Sequence, residues 1–178
     1  MQKDERKPNV ERKDRKRTIK EVDPISSKLV AVNRVTKVVK GGRTMRFAAL
    51  VVAGDGNGRV GVGSGKAAEV PSAIDKATIA AKKSMVKVAL CDTTIPHEVI
   101  GVYGKSRVKL LPSKQGNGII AGGSVRPVVE LCGIKDITAK VYGSRNSTNI
   151  VKATINGLMQ LRTKEQIAAL RGKSVEEI

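Results

Sequence analysis

The chain has 178 residues, of which 34 are Lys or Arg and 16 are Asp or Glu, so its formal net charge at pH 7 is +18. A charge of this size on a short chain indicates a polyanionic partner, and RNA or DNA is the usual one. Hydrophobic residues make up 40% of the chain and aromatic residues only 2%. This composition argues against wholesale disorder and against base stacking on aromatic rings, and it favours contacts with nucleic-acid backbone and shape.

Residues 1–24 are dense in charge and almost free of apolar side chains. Between Lys3 and Lys20, nine cations stand against four acids, and such a segment cannot bury enough surface to fold alone. We predict a flexible basic arm over residues 1–24. This arm has no apolar stretch typical of a secretory signal, and no apolar run in the chain approaches the roughly 20 residues of a membrane span, so we expect no membrane partner.

Residues 25–91 have the pattern of a small α+β domain. A β-branched run ends in a glycine turn, the return strand becomes apolar on both faces, and a second glycine turn leads to a strand that alternates valine with glycine. A proline then opens a segment with helical spacing. We predict three antiparallel strands, turns at 40–43 and 55–58, and a helix at 71–90.

Basic residues recur at every third position along the first predicted hairpin, at Arg34, Lys37, Lys40, Arg43 and Arg46. A projecting hairpin places these cations at and around its tip, and Gly41 and Gly42 let a phosphate approach the backbone closely. A solvated basic loop without a ligand is the alternative. Lys76, Lys83 and Lys87 follow one side of the predicted helix and would support the same interaction. We predict that the five cations and two glycines of the hairpin bind RNA.

A second α+β unit follows a predicted linker at 92–97 and extends over residues 98–178. Two strands, a glycine-rich loop and a short strand or turn precede a short helix, a fourth strand and two further helices. The final helix is expected to begin at a capping box from Thr163 to Gln166 and to end at Gly172. The predicted segments are strands at 98–103, 105–111 and 136–143, a short strand or turn at 119–123, and helices at 125–131, 149–161 and 164–171.

The second predicted strand of this unit is basic on one face. Lys105, Arg107 and Lys109 alternate with Val108 and Leu110, so the cations point to one side of the sheet and the apolar residues to the other. One more cation lies in the glycine-rich loop that follows. We predict RNA contacts for the four cations Lys105, Arg107, Lys109 and Lys114.

Two glycine motifs suggest nucleotide chemistry, and both fail on context. Gly56-x-Gly58-x-x-Gly61 matches the dinucleotide fingerprint by letter, but a predicted strand runs through it, whereas the fingerprint must open a helix. Gly65-Lys66 lacks the earlier glycine and the following Ser or Thr of a phosphate loop. We therefore expect tight turns here and no cofactor.

Cys91, Cys132 and His97 stand apart from one another in the sequence. A zinc site needs four ligands at paired spacings, so no metal is expected. A thiol nucleophile at Cys91 would need a third, orienting group that is not evident. We expect both cysteines to be reduced in a core and His97 to form hydrogen bonds at the domain boundary.

Five long stretches of the chain resemble one known family. They read VVKGGR, FAALVVAGDGNGRVGVGSGKAAEVPSAIDKA, IPHEVIGVYG, IIAGGSVRPVVELCGI and YGSRN…NIVKATINGL. Collinear from about residue 25 to residue 172, they are similar to bacterial small-subunit ribosomal protein number five. The resemblance implies an N-terminal domain of the double-stranded-RNA-binding type and a C-terminal α/β two-layer sandwich. It leaves the arm at 1–24 unmatched.

The resemblance also implies a function. Members of this family are non-enzymatic structural proteins that bind small-subunit ribosomal RNA in the cytoplasm and bridge the head and body of the subunit. The hairpin tip would reach RNA of the head. The C-terminal domain would contact RNA of the body and the neighbouring small-subunit proteins four and eight. The interface with protein four, at Gly122, Gly123 and Arg126, would influence decoding accuracy close to the channel through which messenger RNA enters.

Two other classes of function stay open at this point. A phosphate-handling enzyme is one, since the implied C-terminal architecture is shared with some phosphotransferases and ATPases. A free regulatory RNA-binding protein is the other.

Overall fold

The computed structural model describes residues 25–174, which form two α+β domains, as the sequence predicts. The predicted arm at 1–24 lies outside the described residues. The first domain consists of β1 (Ser26–Val39), β2 (Gly42–Gly54), β3 (Arg59–Ala67), α1 (Val70–Lys83) and β4 (Val86–Lys87). The second consists of β5 (Val99–Tyr103), β6 (Ser106–Pro112), β7 (Ile119–Ile120), α2 (Arg126–Cys132), β8 (Ile137–Gly143), α3 (Ser147–Met159) and α4 (Lys164–Arg171).

Each domain is built on a four-stranded sheet. The first sheet has the order β1-β2-β3-β4 and is antiparallel throughout. The second has the order β5-β6-β8-β7, with β7 parallel to β8. Helix α1 packs on one face of the first sheet through Ala73 and Ala77, which pack with Ala49 and Val51 of β2. The opposite face joins a core that continues into the second domain.

The prediction that α1 continues to residue 90 is wrong, because the helix ends at Lys83. The Ser84 amide donates to the Ala80 and Ala81 carbonyls, and its hydroxyl donates to the Val62 carbonyl at 2.7 Å. The chain then returns as β4 beside β3. Lys87 is therefore on an edge strand rather than on the helical stripe of Lys76 and Lys83, since pairing with β3 takes precedence over helical spacing.

The glycines of β3 bring this strand unusually close to α1. A Cβ atom at Gly63 would lie 2.0 Å from the Ala77 carbonyl oxygen, and one at Gly61 would lie 2.3 Å from the Ala81 carbonyl oxygen. Gly65 meets the first turns of the same helix in the same way. The valine–glycine alternation thus serves helix-on-strand packing, because only a residue without a side chain permits this approach.

The turn between β2 and β3 docks the first domain onto α2 of the second. The Gly56 amide donates to the Leu131 carbonyl at 3.0 Å, and the Gly58 amide donates to the Cys132 carbonyl at 2.9 Å. A Cβ atom at Gly54 would lie 2.3 Å from the Leu131 carbonyl oxygen. Carbonyls at a helix C-terminus lack partners within the helix, and here the turn supplies them. The two domains are therefore joined by backbone hydrogen bonds as well as by a shared core.

The second domain carries α2 and α3 on one face of its sheet. Strand β5 approaches α3 closely at Gly101, where a Cβ atom would lie 2.0 Å from the Ala153 carbonyl oxygen. The predicted capping box at Thr163 and the left-handed Gly172 that ends α4 are both confirmed. No helix of residues 25–174 covers the opposite face of the sheet, where Tyr142 is 53% exposed.

The connection between the domains packs against the second one. Ile95 is 1% exposed, and the Thr93 carbonyl accepts hydrogen bonds from the Lys135 and Asp136 amides. Cys91 forms a β-bridge with Thr94 and is exposed, so the expectation that it lies in a core is wrong. The cause is the early end of α1, which leaves Cys91 on a surface loop.

Candidate nucleic-acid interface

The β1–β2 hairpin projects from the body of the first domain. Val39 pairs with Gly42, so Lys40 and Gly41 form the turn, and Gly41 adopts φ +92°, which favours glycine. Every residue from 36 to 46 is exposed, including Val38, which is 75% exposed. The distal hairpin therefore packs against no other element of residues 25–174. Its backbone is paired within the hairpin and Arg34 contacts the Met45 sulfur, but its side chains remain exposed to a partner.

The hairpin carries its cations on both faces and at the tip. Directly opposed residues of an antiparallel pair share a face, and the observed register places Arg34 and Arg43 on one face and Lys37 and Arg46 on the other. Lys40 occupies the turn between them. A hairpin that is basic on two sides suits insertion between two phosphate-rich elements better than it suits lying on one surface.

None of these hairpin cations has a carboxylate partner among residues 25–174. The ion pairs described within residues 25–174 lie elsewhere and join Lys28 and Arg126 to Glu130, and Lys109 to Glu98. Their positive charge is thus available to a polyanion, since neither burial nor an acid offsets it.

The predicted cations of the second domain lie apart from the hairpin, on the other sheet. Arg107 and Lys109 project from the open face of this sheet, while Val108 and Leu110 are fully buried on the other face, as predicted. Lys105 lies in the turn between β5 and β6. The Lys109 ammonium is 3.3 Å from a Glu98 carboxylate oxygen, so part of its charge is already paired.

Lys114 lies on an exposed loop that a buried carboxylate holds in shape. Asp136 is 4% exposed, and its Oδ1 accepts hydrogen bonds from the Gly116 amide at 3.0 Å and the Gly118 amide at 2.9 Å. The Gly118 amide, followed by the Thr93 hydroxyl and the Gly116 amide, lowers the pKa of Asp136 below its usual range. Sequence reasoning missed this residue, because its partners lie 18 and 20 positions away.

We expect Asp136→Asn to loosen this loop and to remove part of the acid sensitivity of the fold. A carboxylate whose pKa is lowered on folding stabilises the protein above its unfolded pKa of about 3.9, and this stabilisation is lost as pH falls through the folded pKa. Urea unfolding at pH 7 and pH 3 should therefore show a smaller pH-dependent loss for Asp136→Asn than for wild type. Exposed Asp75 on α1 offers the matched control Asp75→Asn. Equal pH-dependent losses in wild type and Asp136→Asn would contradict the assignment.

The predicted protein-contact residues surround the start of α2. The Gly122 carbonyl accepts from the Val125 amide at 2.8 Å and from the Arg126 amide at 2.9 Å, which shapes the entry to the helix. Gly122 and Gly123 are exposed, and a Cβ atom at Gly123 would meet nothing within 4 Å. Neither glycine has a positive φ. Within the chain, therefore, neither position is compelled to be glycine by space or by backbone strain.

Arg126 is held by an acid that also ties the two domains together. The Arg126 Nε donates to a Glu130 carboxylate oxygen at 2.8 Å, and the other Glu130 oxygen pairs with Lys28 of β1. The hydrogen bond from Lys28, followed by that from Arg126, lowers the pKa of Glu130. The position of Arg126 is thus coupled to the contact between the domains.

Cys91 is exposed and Cys132 is buried, and the described hydrogen bonds of His97 go to backbone atoms. The His97 Nε2 accepts from the Arg162 amide at 3.3 Å, so its Nδ1 carries the proton and donates to the Glu98 carbonyl at 2.9 Å. His97 thus hydrogen-bonds at the start of the second domain. Burial, together with the charge of Asp55, raises the pKa of the Cys132 thiol to about 12.

The glycine fingerprint has no free amides for a pyrophosphate, because Gly56 and Gly58 donate to α2. Residues 25–174 contain no group of three or more His, Cys, Asp or Glu side chains placed to hold a metal ion. In the same part of the chain, no helix has the length and apolarity required to cross a membrane.

Four residues beyond the predicted set lie on surfaces that are close to predicted cations or that carry further cations. Lys140 and Tyr142 share the open face of the second sheet with Arg107. Lys66 of β3 and Arg145 before α3 both line a cleft between the domains, each from a different domain. Strand alternation could have placed the first pair on one face, but the second pair depends on how the domains dock, which local sequence does not reveal.

Two family models match the chain. The model of ribosomal protein S5, N-terminal domain, matches residues 25–89. The model of ribosomal protein S5, C-terminal domain, matches residues 101–171. Together they cover more than half of the chain, in the order and at the positions of the two domains described above.

Proposed function

The chain belongs to the ribosomal protein S5 family, whose members are structural, non-enzymatic proteins of the small ribosomal subunit that bind ribosomal RNA, and from this we propose that it holds the head of the subunit to the body. The first domain, taken as residues 25–91, would contact RNA of the head through its hairpin. The second, taken as residues 98–178, would contact RNA of the body through Lys105, Arg107, Lys109 and Lys114.

The observation that carries this proposal is the projecting hairpin with unpaired cations on both faces. Such a hairpin binds RNA by neutralising phosphates and releasing counterions, without reading individual bases. The docking of Gly56 and Gly58 onto α2 supports a bridging role. Two domains that are joined rigidly hold the RNA element bound to one domain at a fixed position relative to the RNA element bound to the other. Each bound site also raises the effective concentration of the second.

We further propose that Gly122, Gly123 and Arg126 contact small-subunit protein four and that this contact influences decoding accuracy beside the channel through which messenger RNA enters. Two exposed glycines without an internal packing requirement leave a flat surface that a partner's backbone can approach closely. The ion pair of Arg126 with Glu130 links this surface to the domain junction. A contact between the second domain and protein eight is part of the same proposal.

The proposal predicts that the full chain cosediments with small ribosomal subunits and that its binding to small-subunit ribosomal RNA depends steeply on salt. If each of the five hairpin cations neutralises one phosphate, the hairpin alone contributes about −4 to the slope of log affinity against log salt, and contacts of the second domain make the slope steeper. Filter binding between 50 and 300 mM KCl measures this slope. A flat response, or a chain that stays at the top of the gradient, would reject the proposal and would favour a free RNA-binding regulator or an unrelated role.

A further inference from the structure

We propose that the cleft between the two domains is a second RNA-backbone site, in which Lys66 and Arg145 hold a strand that continues from the hairpin. The cleft has a volume of about 550 Å³. One wall is the face of the first sheet that turns away from α1, and the other is the loop that leads into α3. This site rests on the proposed RNA-binding function and extends it.

The wall of the cleft that the first sheet forms is a continuation of one basic face of the hairpin. Lys37 and Arg46 lie on the same face of β1 and β2 as Ala48, and Ala48 lies opposite Lys66 in the pairing of β2 with β3. Residues two apart on a strand are about 6.6 Å apart. The cations therefore succeed one another at short intervals from the hairpin face to Lys66.

The composition of the cleft favours a polyanion over a protein segment. None of the residues that line the cleft is acidic. Small or polar side chains, including Ala31, Asn33 and Ser64, line the wall that the first sheet forms. Lys66 and Arg145 are exposed, and neither has a hydrogen-bond or ion-pair partner described within residues 25–174. Two unpaired cations that line one open cleft from different domains suit the phosphodiester backbone of one strand.

The N-terminus of α3 borders the cleft but is not an argument for anion binding there. The Asn146 side chain already accepts the hydrogen bond from the Thr148 amide at 3.0 Å, so that first-turn donor is occupied. A polyanion is instead favoured by the two cations that line the cleft from different domains, by the absence of acids among the lining residues and by the continuity with the hairpin. Because the walls belong to different domains, a strand bound there would also resist their separation.

Site-directed crosslinking of the full chain in small subunits tests the location. Cys91 is replaced by serine, whereas buried Cys132 can remain because its high pKa makes the thiol unreactive. A photoreactive group is then attached at Ser64→Cys in the cleft, at Thr44→Cys in the hairpin, or at exposed Ala169→Cys on α4 as the control. We expect ribosomal RNA crosslinks from positions 64 and 44 and background from position 169.

The outcomes separate the two proposals. RNA crosslinks at position 44 with background or protein crosslinks at position 64 would overturn the cleft site and leave the proposed function standing. Background at both positions, together with no cosedimentation, would overturn both.

A charge variant gives an independent measure in filter binding. Lys66→Gln with Arg145→Gln should lower the magnitude of the salt slope by about 2, roughly 1 for each lost phosphate contact. The matched control, Lys164→Gln with Arg171→Gln on α4, should leave the slope unchanged. Equal slopes for the cleft variant and the control would contradict the site.

Discussion

Replacement of Lys40 and Arg43 by Glu is expected to weaken binding to small-subunit ribosomal RNA roughly a hundredfold, since two lost phosphate contacts of about 1.4 kcal/mol each correspond to two factors of ten. Both residues are exposed and have no described ion pair, so thermal unfolding should stay close to that of wild type. Filter binding measures the affinity, and gradient sedimentation measures incorporation into subunits.

The matched control for this variant reverses two exposed charges on α4 and after it, Lys164→Glu and Lys173→Glu. This control changes the net charge by the same amount but leaves the hairpin intact, so it separates a local contact from a general loss of positive charge. If the hairpin variant binds no more weakly than this control, and its subunits assemble and decode normally, the hairpin is not an RNA contact.

A single methyl group at Gly63 is expected to destabilise the first domain by about 3 kcal/mol, at the upper end of the usual cost of overpacking. The new Cβ atom would lie 2.0 Å from the Ala77 carbonyl oxygen and 2.4 Å from the Ala81 amide nitrogen. Both are backbone atoms of α1, so relief requires that the whole helix move away from β3. For a chain of this size we expect Gly63→Ala to lower the melting temperature by about 10 °C.

Gly123→Ala is the control for this measurement. A Cβ atom there meets nothing within 4 Å, and the residue has no positive φ, so the melting temperature should change little. A melting temperature of Gly63→Ala that also stays within about 1 °C of wild type would show that α1 and β3 can separate without cost. The interpretation of the glycine motif as a packing motif would then fail.

The glycines of the apparent nucleotide fingerprint have roles that only partly follow from the sequence. The sequence argues against a nucleotide fingerprint because a strand rather than a helix follows these glycines. The structure confirms this, since β3 begins at Arg59 and contains Gly61, although Gly56 and Gly58 lie in the turn before the strand and not in it. What those glycines do instead was not visible in the sequence. Gly56 and Gly58 donate to the end of α2, and Gly61 admits the backbone of α1. These partners lie up to 75 residues away for Gly56, and neither spacing nor propensity encodes such distances.

The ends of the helices show the same difference between local signals and long-range partners. The ends of α4 were predicted correctly, because a capping box at Thr163 and a left-handed Gly172 act within one turn of the helix. The predicted end of α1 is seven residues too late. The helix stops because Ser84 bonds to β3 and the chain then returns as β4, which pairs with β3. Local hydrogen bonds can be inferred from neighbouring residue types, whereas a competing strand partner depends on the assembled sheet.

Charge, strand alternation and turn chemistry are local properties. The amino-acid sequence is therefore enough to predict the basic character of this protein, its α+β class, the hairpin with cations at every third residue and the resemblance to a family. The folded structure is needed to see that the hairpin cations are divided between two faces, that a glycine turn joins the domains, and that Lys66 and Arg145 line one cleft from different domains. These features arise from strand register and domain docking, which are fixed by long-range packing and by backbone hydrogen bonds between distant segments.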